Sequence, residues 1–143
     1  PELDGIYCHS DFTLTGVIPA LERIGRLKLV GMDDHIFTVS IDATSQALDW
    51  IRERKHDASI SQPFVDYGQT AIMLFAEYYL KGKEIPVGET ISQPGALWSP
   101  AVIEDSSTGP VVKLRTVSVD IHNVDDSRLW ANYYGYMQKQ GKD

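Results

Sequence analysis

Residues 4–25 read DGIYCHSDFTLTGVIPALERIG, and this stretch decides the fold class. Gly5-Ile6-Tyr7-Cys8 is short, apolar and rich in strand formers, which predicts a buried strand. Ser10 and Asp11 then offer N-cap oxygens, and Leu14, Val17, Ile18, Leu21 and Ile24 follow at helical spacing. Gly25 stands where a left-handed residue closes a helix. Pro19 falls inside the helix and predicts a kink or a lost hydrogen bond.

Strand, polar corner and helix recur downstream. Residues 27–30 predict a second buried strand that ends at Gly31-Met32-Asp33. Asp42 is placed to cap a helix running towards Arg54, with Ala43, Ala47, Trp50 and Ile51 inside and Arg52, Arg54 and Lys55 at its negative end. Residues 58–61 predict a third strand, ending at Gln62-Pro63. A third helix is expected over 66–81, with Ile72, Phe75, Ala76, Tyr79 and Leu80 on its apolar face and Gly82 at its stop. Strands separated by amphipathic helices mean βαβ units, so the expected class is α/β, a Rossmann-like parallel sheet with flanking helices.

The character changes after Gly82. Residues 96–103 and 111–121 predict a β-hairpin with its turn over 105–109. Val117, Val119 and Ile121 alternate with Ser118, Asp120 and His122, which predicts one solvated face. A short helix is expected to start at Asp125 or Asp126 and to run through Trp130 and Tyr134.

Of the 143 residues, 43% are hydrophobic and 23% charged, a balance that suits a globular core. The formal net charge of −7, with dispersed Lys and Arg, disfavours nucleic acid and anionic membrane surfaces as partners. The single cysteine, Cys8, cannot form an internal disulfide. Cys8 and His9 do not make a thiol–base pair, because adjacent strand residues point to opposite faces. Asp33-Asp34-His35 is a poor metal shell, because consecutive residues rarely supply one. There is no Gly-rich phosphate loop. No catalytic residue, metal or cofactor is therefore expected.

Each predicted parallel strand carries a polar cluster at its carboxyl end: His9-Ser10-Asp11, Asp33-Asp34-His35 and Ser61-Gln62. Ligands of open α/β sheets bind outside the carboxyl ends of the strands. Ser10, Asp33 and Gln62 are the candidate site: a hydroxyl, a carboxylate and an amide offer the donors and acceptors that sugar hydroxyls need. The alternative is that all three are ordinary caps and loop residues.

Five stretches resemble one family in its own order. Asp4-Gly5-Ile6 through Ser10-Asp11 and Gly16 resembles its D-G-I-x-x-x-N-D-x-x-x-x-G segment. Leu29-Val30-Gly31-Met32-Asp33 resembles its V-V-G-hydrophobic-D strand. Ala47-Leu48 through Gln62-Pro63 resembles its A-L-x-x-I-x-x-G-x-x-x-A-T-x-x-Q-x-P stretch, and residues 66–85 the helix and L-x-G-K turn that follow. Asn123-Val124-Asp125-Asp126, with Leu129-Trp130, is similar to an N-V-D-D-P-x-L-W ending. The family is that of the type I periplasmic sugar-binding proteins of the ribose and galactose group.

The resemblance implies that Asp33 accepts hydrogen bonds from sugar hydroxyls and that Gln62 lies near a hinge. It puts Ser10 where most members have asparagine, and Met32 where ribose-type members often carry an aromatic ring. It implies a non-enzymatic sugar carrier for ABC-transporter uptake, periplasmic or extracellular, with a membrane permease as partner. It divides the chain into 1–63, part of a C-terminal lobe; 64–91, a hinge and a helix that packs in the N-terminal lobe; and 92–143, a hairpin and tail. It further implies a C-terminal fragment or truncated product that binds sugar weakly and self-associates through the uncovered face of the third helix. The competing readings are the ligand-binding core of a LacI-type transcriptional regulator and a pure interaction module. The Ala-Leu-Asp-Trp-Ile helix and the Asn-Val-Asp-Asp ending favour the transport protein.

Overall fold

The computed structural model describes residues 2–133. The chain forms two compact units. One holds the chain up to Gln62 and again from Val117 onwards; the other is Pro63–Thr116. The 92–143 segment expected from the sequence is therefore split, because its last part pairs with the first unit's sheet.

In the first unit, strands β1 (Gly5–Tyr7), β2 (Phe37–Asp42) and β3 (Ala58–Ser61) alternate with helices α1 (Asp11–Arg23) and α2 (Ser45–Arg52). β1, β2 and β3 are parallel neighbours, and β7 (Val117–Val119) joins β3 in the antiparallel sense. The α/β class expected from the sequence is the one observed. Ser10 caps α1 by accepting from the Phe12 amide, and Gly25, at φ 70°, follows its end. α1 continues through Pro19. Cys8, Leu14, Ile18 and Ala47 form a buried cluster against which Ile6, Val17, Leu27 and Trp50 pack.

The second strand is not where the sequence reading puts it. Residues 27–34 form no strand, and the chain pairs only from Phe37. The β2 segment Phe37-Thr38-Val39-Ser40-Ile41-Asp42 buries Thr38 and Ser40 fully and leaves Val39 and Ile41 half-buried. Its inward face is polar, which hides it from a search for apolar runs. Asp42 is consequently the last residue of β2 and not a helix cap; Thr44 caps α2 by accepting from the Ala47 amide.

Register places Ile6, Thr38, Ser40, Ser59 and Val119 on one sheet face and Tyr7, Val39, Ile41 and Ile60 on the other. The first face is covered by α1 and α2. The second is apolar yet open, with Tyr7 66% and Phe37 53% exposed. The expectation of strands buried on both faces fails for this reason.

The second unit holds α3 (Phe64–Glu77) and an antiparallel sheet of β4 (Thr90–Ile91), β5 (Ala101–Glu104) and β6 (Val111–Val112). The expected hairpin exists as β5–β6, but its first run is strand only from Ala101, and its second breaks after Val112 and resumes as β7 in the other sheet. α3 ends four residues before Lys81, in a short 3-10 turn closed by Gly82 at φ 63°. Its expected apolar face is not buried: Ile72 is 71% and Leu80 66% exposed, and Thr70 is its one buried residue. Trp98, Ala101 and Leu114 make a small core. A cavity of about 390 Å³, mostly aliphatic and aromatic in lining, lies between α3 and the sheet.

The Asn-Val-Asp-Asp stretch wraps back onto α2. Arg52 donates to Asp125 Oδ1 and Asp49 Oδ1 at 2.8 Å each, to Asn132 Oδ1 at 2.9 Å and to the Val124 carbonyl at 3.2 Å. Val124 and Leu129 are buried beside this clamp. A helix begins at Trp130 and not at Asp125 or Asp126, which lie ahead of it; its expected continuation through Tyr134 lies outside the described residues. Removing the Arg52 fork should loosen the tail. Arg52→Ala is expected to cost about 1–2 kcal/mol, discounted for partial solvent exposure, as read by urea unfolding.

Candidate functional site

The carboxyl edge of the parallel sheet is built around the turn that joins β2 to α2. Asp42 has φ 118° and Ala43 φ 53°, two successive non-glycine residues in a region that L-amino acids seldom occupy. Side chains from three other elements hold this turn. Trp130 Nε1 donates to the Asp42 carbonyl at 2.7 Å. The Ala43 amide donates to Ser59 Oγ at 2.9 Å, and the Thr44 amide to Asp11 Oδ2 at 2.6 Å.

Asp11, 2% exposed, is the centre of a buried polar network. Its Oδ1 accepts from the Ser40 hydroxyl and, at 3.0 Å, from the Ser59 hydroxyl. Ser40 Oγ lies 2.9 Å from His56 Nε2, and His56 Nδ1 lies 2.7 Å from Thr38 Oγ1. Ser40 gives its hydrogen to Asp11, so it accepts from Nε2–H, and Thr38 donates to Nδ1. The neutral Nε2–H tautomer of His56 satisfies both of its ring contacts, and it takes the one Thr38 hydrogen that Asp57 Oδ2, 3.3 Å from Thr38 Oγ1, would otherwise receive. Burial pushes the His56 imidazole down to about 4, overriding the opposing pull of the Asp11 and Asp57 carboxylates. At the other end of the network Asp57 accepts from the Thr38 amide at 2.7 Å and from His35 Nε2 at 2.9 Å, while His35 Nδ1 lies 2.8 Å from the Lys28 carbonyl.

The three residues singled out by sequence are not brought together. Gln62 follows the carboxyl end of β3, and Ser10 follows β1. Asp33 sits in an exposed turn ahead of the amino end of β2. β2 and β3 are parallel, so Asp33 and Gln62 lie at opposite edges of the sheet. The carboxylate that stands at the carboxyl edge is Asp42: Gln62 Nε2 donates to its Oδ1 at 3.1 Å, and both residues are half-buried. The signal that would have found Asp42 is the alternation of residues 37–42, ending in an aspartate just before a helix cap.

Other polar groups are accounted for structurally. Cys8 is buried, and its thiol is pushed up by burial and by the nearby Asp11 carboxylate, the reverse of an activated nucleophile. His9, its neighbour, is exposed. Asp33 and Asp34 are exposed, and His35 turns towards Asp57. Among the described residues no group of three or more His, Cys, Asp or Glu is arranged to hold a metal ion.

In comparisons with protein-family models and with curated proteins, the chain matches none.

The buried imidazole makes stability depend on pH in a defined direction. An unfolded chain protonates His56 near 6.5, whereas the folded one resists until about 4, so the unfolded state binds more protons between these values. This contribution is fully present above about pH 6.5 and is lost as pH falls towards 4, by up to roughly 3 kcal/mol. Urea unfolding from pH 7 to pH 4 should show that loss for the wild type. It should be smaller in His56→Gln, which cannot titrate.

Proposed function

We propose that the chain binds a small sugar at the carboxyl edge of its parallel sheet, as the solute-recognising part of a type I periplasmic binding protein serving ABC-transporter uptake. The observation that carries this reading is the Asp42–Gln62 pair. A carboxylate at the end of β2 and an amide just past the end of β3, its parallel neighbour, meet at 3.1 Å where ligands of this sheet type dock. Thr38-Val39-Ser40-Ile41-Asp42 can also be set on the family's V-V-G-hydrophobic-D pattern, with threonine in place of the first valine and serine in place of the glycine. On this assignment Asp42 takes the role that the resemblance gave to Asp33.

The chemistry fits a neutral polyol. Asp42 keeps acceptor capacity beyond its bond to Gln62 and takes hydrogen bonds from two sugar hydroxyls. Gln62 keeps its carbonyl oxygen and one N–H. Ser10 caps α1 with its oxygen and keeps its hydrogen to donate. The role this reading gives the set is binding. The membrane permease and the export from the cytoplasm belong to the same proposal.

D-ribose and D-galactose, titrated at millimolar concentration while backbone amides are followed by NMR, test it. The amides of residues 42–44 and 62 should move and saturate; if neither sugar moves them, the reading is wrong. Asp42→Ala should weaken binding by about 1.5–3 kcal/mol, the loss of a hydrogen bond to a charged group. Asp33→Ala should leave the affinity unchanged.

The same proposal includes self-association. Tyr7 and Phe37 are exposed on an apolar sheet face that half-buried Val39, Ile41 and Ile60 continue, and an exposed apolar surface usually finds a partner. We take the partner to be a second copy, because an isologous face needs no other component. Light scattering at high concentration should give the mass of a dimer or more, and Phe37→Ser should lower it. A monodisperse wild-type monomer would remove this part of the proposal.

A further inference from the structure

We propose that Asp11 is a positioning residue for the sugar site: it touches no ligand, but it holds the β2–α2 turn in the conformation that presents the Asp42 carboxylate at the sheet edge. The inference rests on the reading that Asp42 is a ligand acceptor.

The placement of Asp11 is unusual for a residue in the first turn of a helix. A carboxylate there normally stays in water and faces the amides of its own helix. Asp11 is instead buried, and both its oxygens are engaged by other elements. Oδ1 serves hydroxyls from β2 and β3, and Oδ2 serves the Thr44 amide at the start of α2. A buried carboxylate is costly unless fully bonded, and an apolar side chain of similar size would be a simpler way to fill the space.

What this arrangement secures is the turn. The Thr44 amide is held by Asp11 directly, and the Ala43 amide is held by Ser59, whose own hydroxyl points its hydrogen at Asp11. Those two amides follow the two residues with strained backbone, Asp42 and Ala43. Ala43 is also fully buried, so the turn has no room to move as a loop on the surface would. Without Asp11, both amides lose their acceptor or its orientation. The strain at Asp42 then relaxes towards extended backbone, and its carboxylate turns away from Gln62.

Other charged or titratable groups near this centre are His56, which reaches Asp11 through Ser40, and Cys8, whose thiol feels the Asp11 charge. Asp57 and His35 lie at the far end of the same network. None of them contacts the Ala43 or Thr44 amide through a side chain among the described residues, so the network acts on the turn through Asp11 and through Ser59, whose hydroxyl Asp11 orients.

Asp11→Asn tests this, since an amide of the same shape has a single acceptor oxygen and cannot serve both sets of donors. Backbone amide exchange by NMR should accelerate at least tenfold at Ala43 and Thr44, while Ile51 in the next turns of α2 stays protected. Ser59→Ala should accelerate Ala43 alone. In the D-ribose and D-galactose titrations Asp11→Asn should weaken binding at least tenfold, and should have no further effect in an Asp42→Ala background. Unchanged exchange at Ala43 and Thr44 would overturn the proposal. So would a loss of affinity that persists undiminished without the Asp42 carboxylate. Should the wild type bind neither sugar, the binding reading fails and the exchange data alone decide whether Asp11 holds the turn. Should Asp11→Asn not fold, Ser59→Ala decides it.

Discussion

A carboxylate buried between a helix start and a sheet organises the first unit. Asp11 gathers hydroxyls from β2 and β3 and the amide of Thr44, the cap of α2, so three parts of the chain share one carboxylate. The cost of burying this charge is offset only if each bond is made, which ties the spacing of α1, the register of β2 and β3 and the start of α2 to one another. The short side chains of Thr38, Ser40 and Ser59 make the arrangement sterically feasible, because longer ones would hold the helices away from the sheet. His56 completes the seam as a neutral ring that donates on one side and accepts on the other.

The polar seam explains an otherwise odd distribution of residues. The covered face of the sheet carries hydroxyls, and the open face carries Tyr7, Val39, Ile41 and Ile60. Hydrophobic burial alone would choose the opposite arrangement. A satisfied polar network directs which face the helices cover, and leaves an apolar surface whose burial needs another surface. The second unit has a similar feature on α3 and the 3-10 turn after it, where Ile72, Phe75, Tyr79 and Leu80 are each at least half exposed. Each unit therefore has a well-formed core and an uncovered apolar face.

Much of the fold was legible in local pattern. The apolar spacing of Leu14, Ile18 and Leu21, the Ser10 cap and Gly25 located α1 within a residue or so, and Ala58–Ser61 and the β5–β6 turn were equally readable. The error at 27–34 has a specific origin. Leu29-Val30-Gly31 has strand-like composition and a motif-like end, yet it makes no ladder, while Phe37–Asp42 looks half polar and pairs with strands on both sides. A buried Thr or Ser is indistinguishable from an exposed one until its partner is known, and the partners here, Asp11, His56 and Asp57, are distant in the chain. The same shift leaves Asp33 away from Gln62 and puts Asp42 beside it.

Sequence by itself determined the α/β class, the alternation of strand and helix as far as α3 and the rule that the polar residues after β1 and β3 lie at one sheet edge, because each depends on short-range periodicity, caps and chain direction. Tertiary structure alone decided which aspartate stands beside Gln62, which sheet face is covered, and that residues 117–119 leave the hairpin to pair with β3. Those outcomes depend on hydrogen bonds between residues as far apart as Asp11 and Ser59, or Trp130 and Asp42. Such bonds gain their strength from burial that exists only once the chain has closed around them.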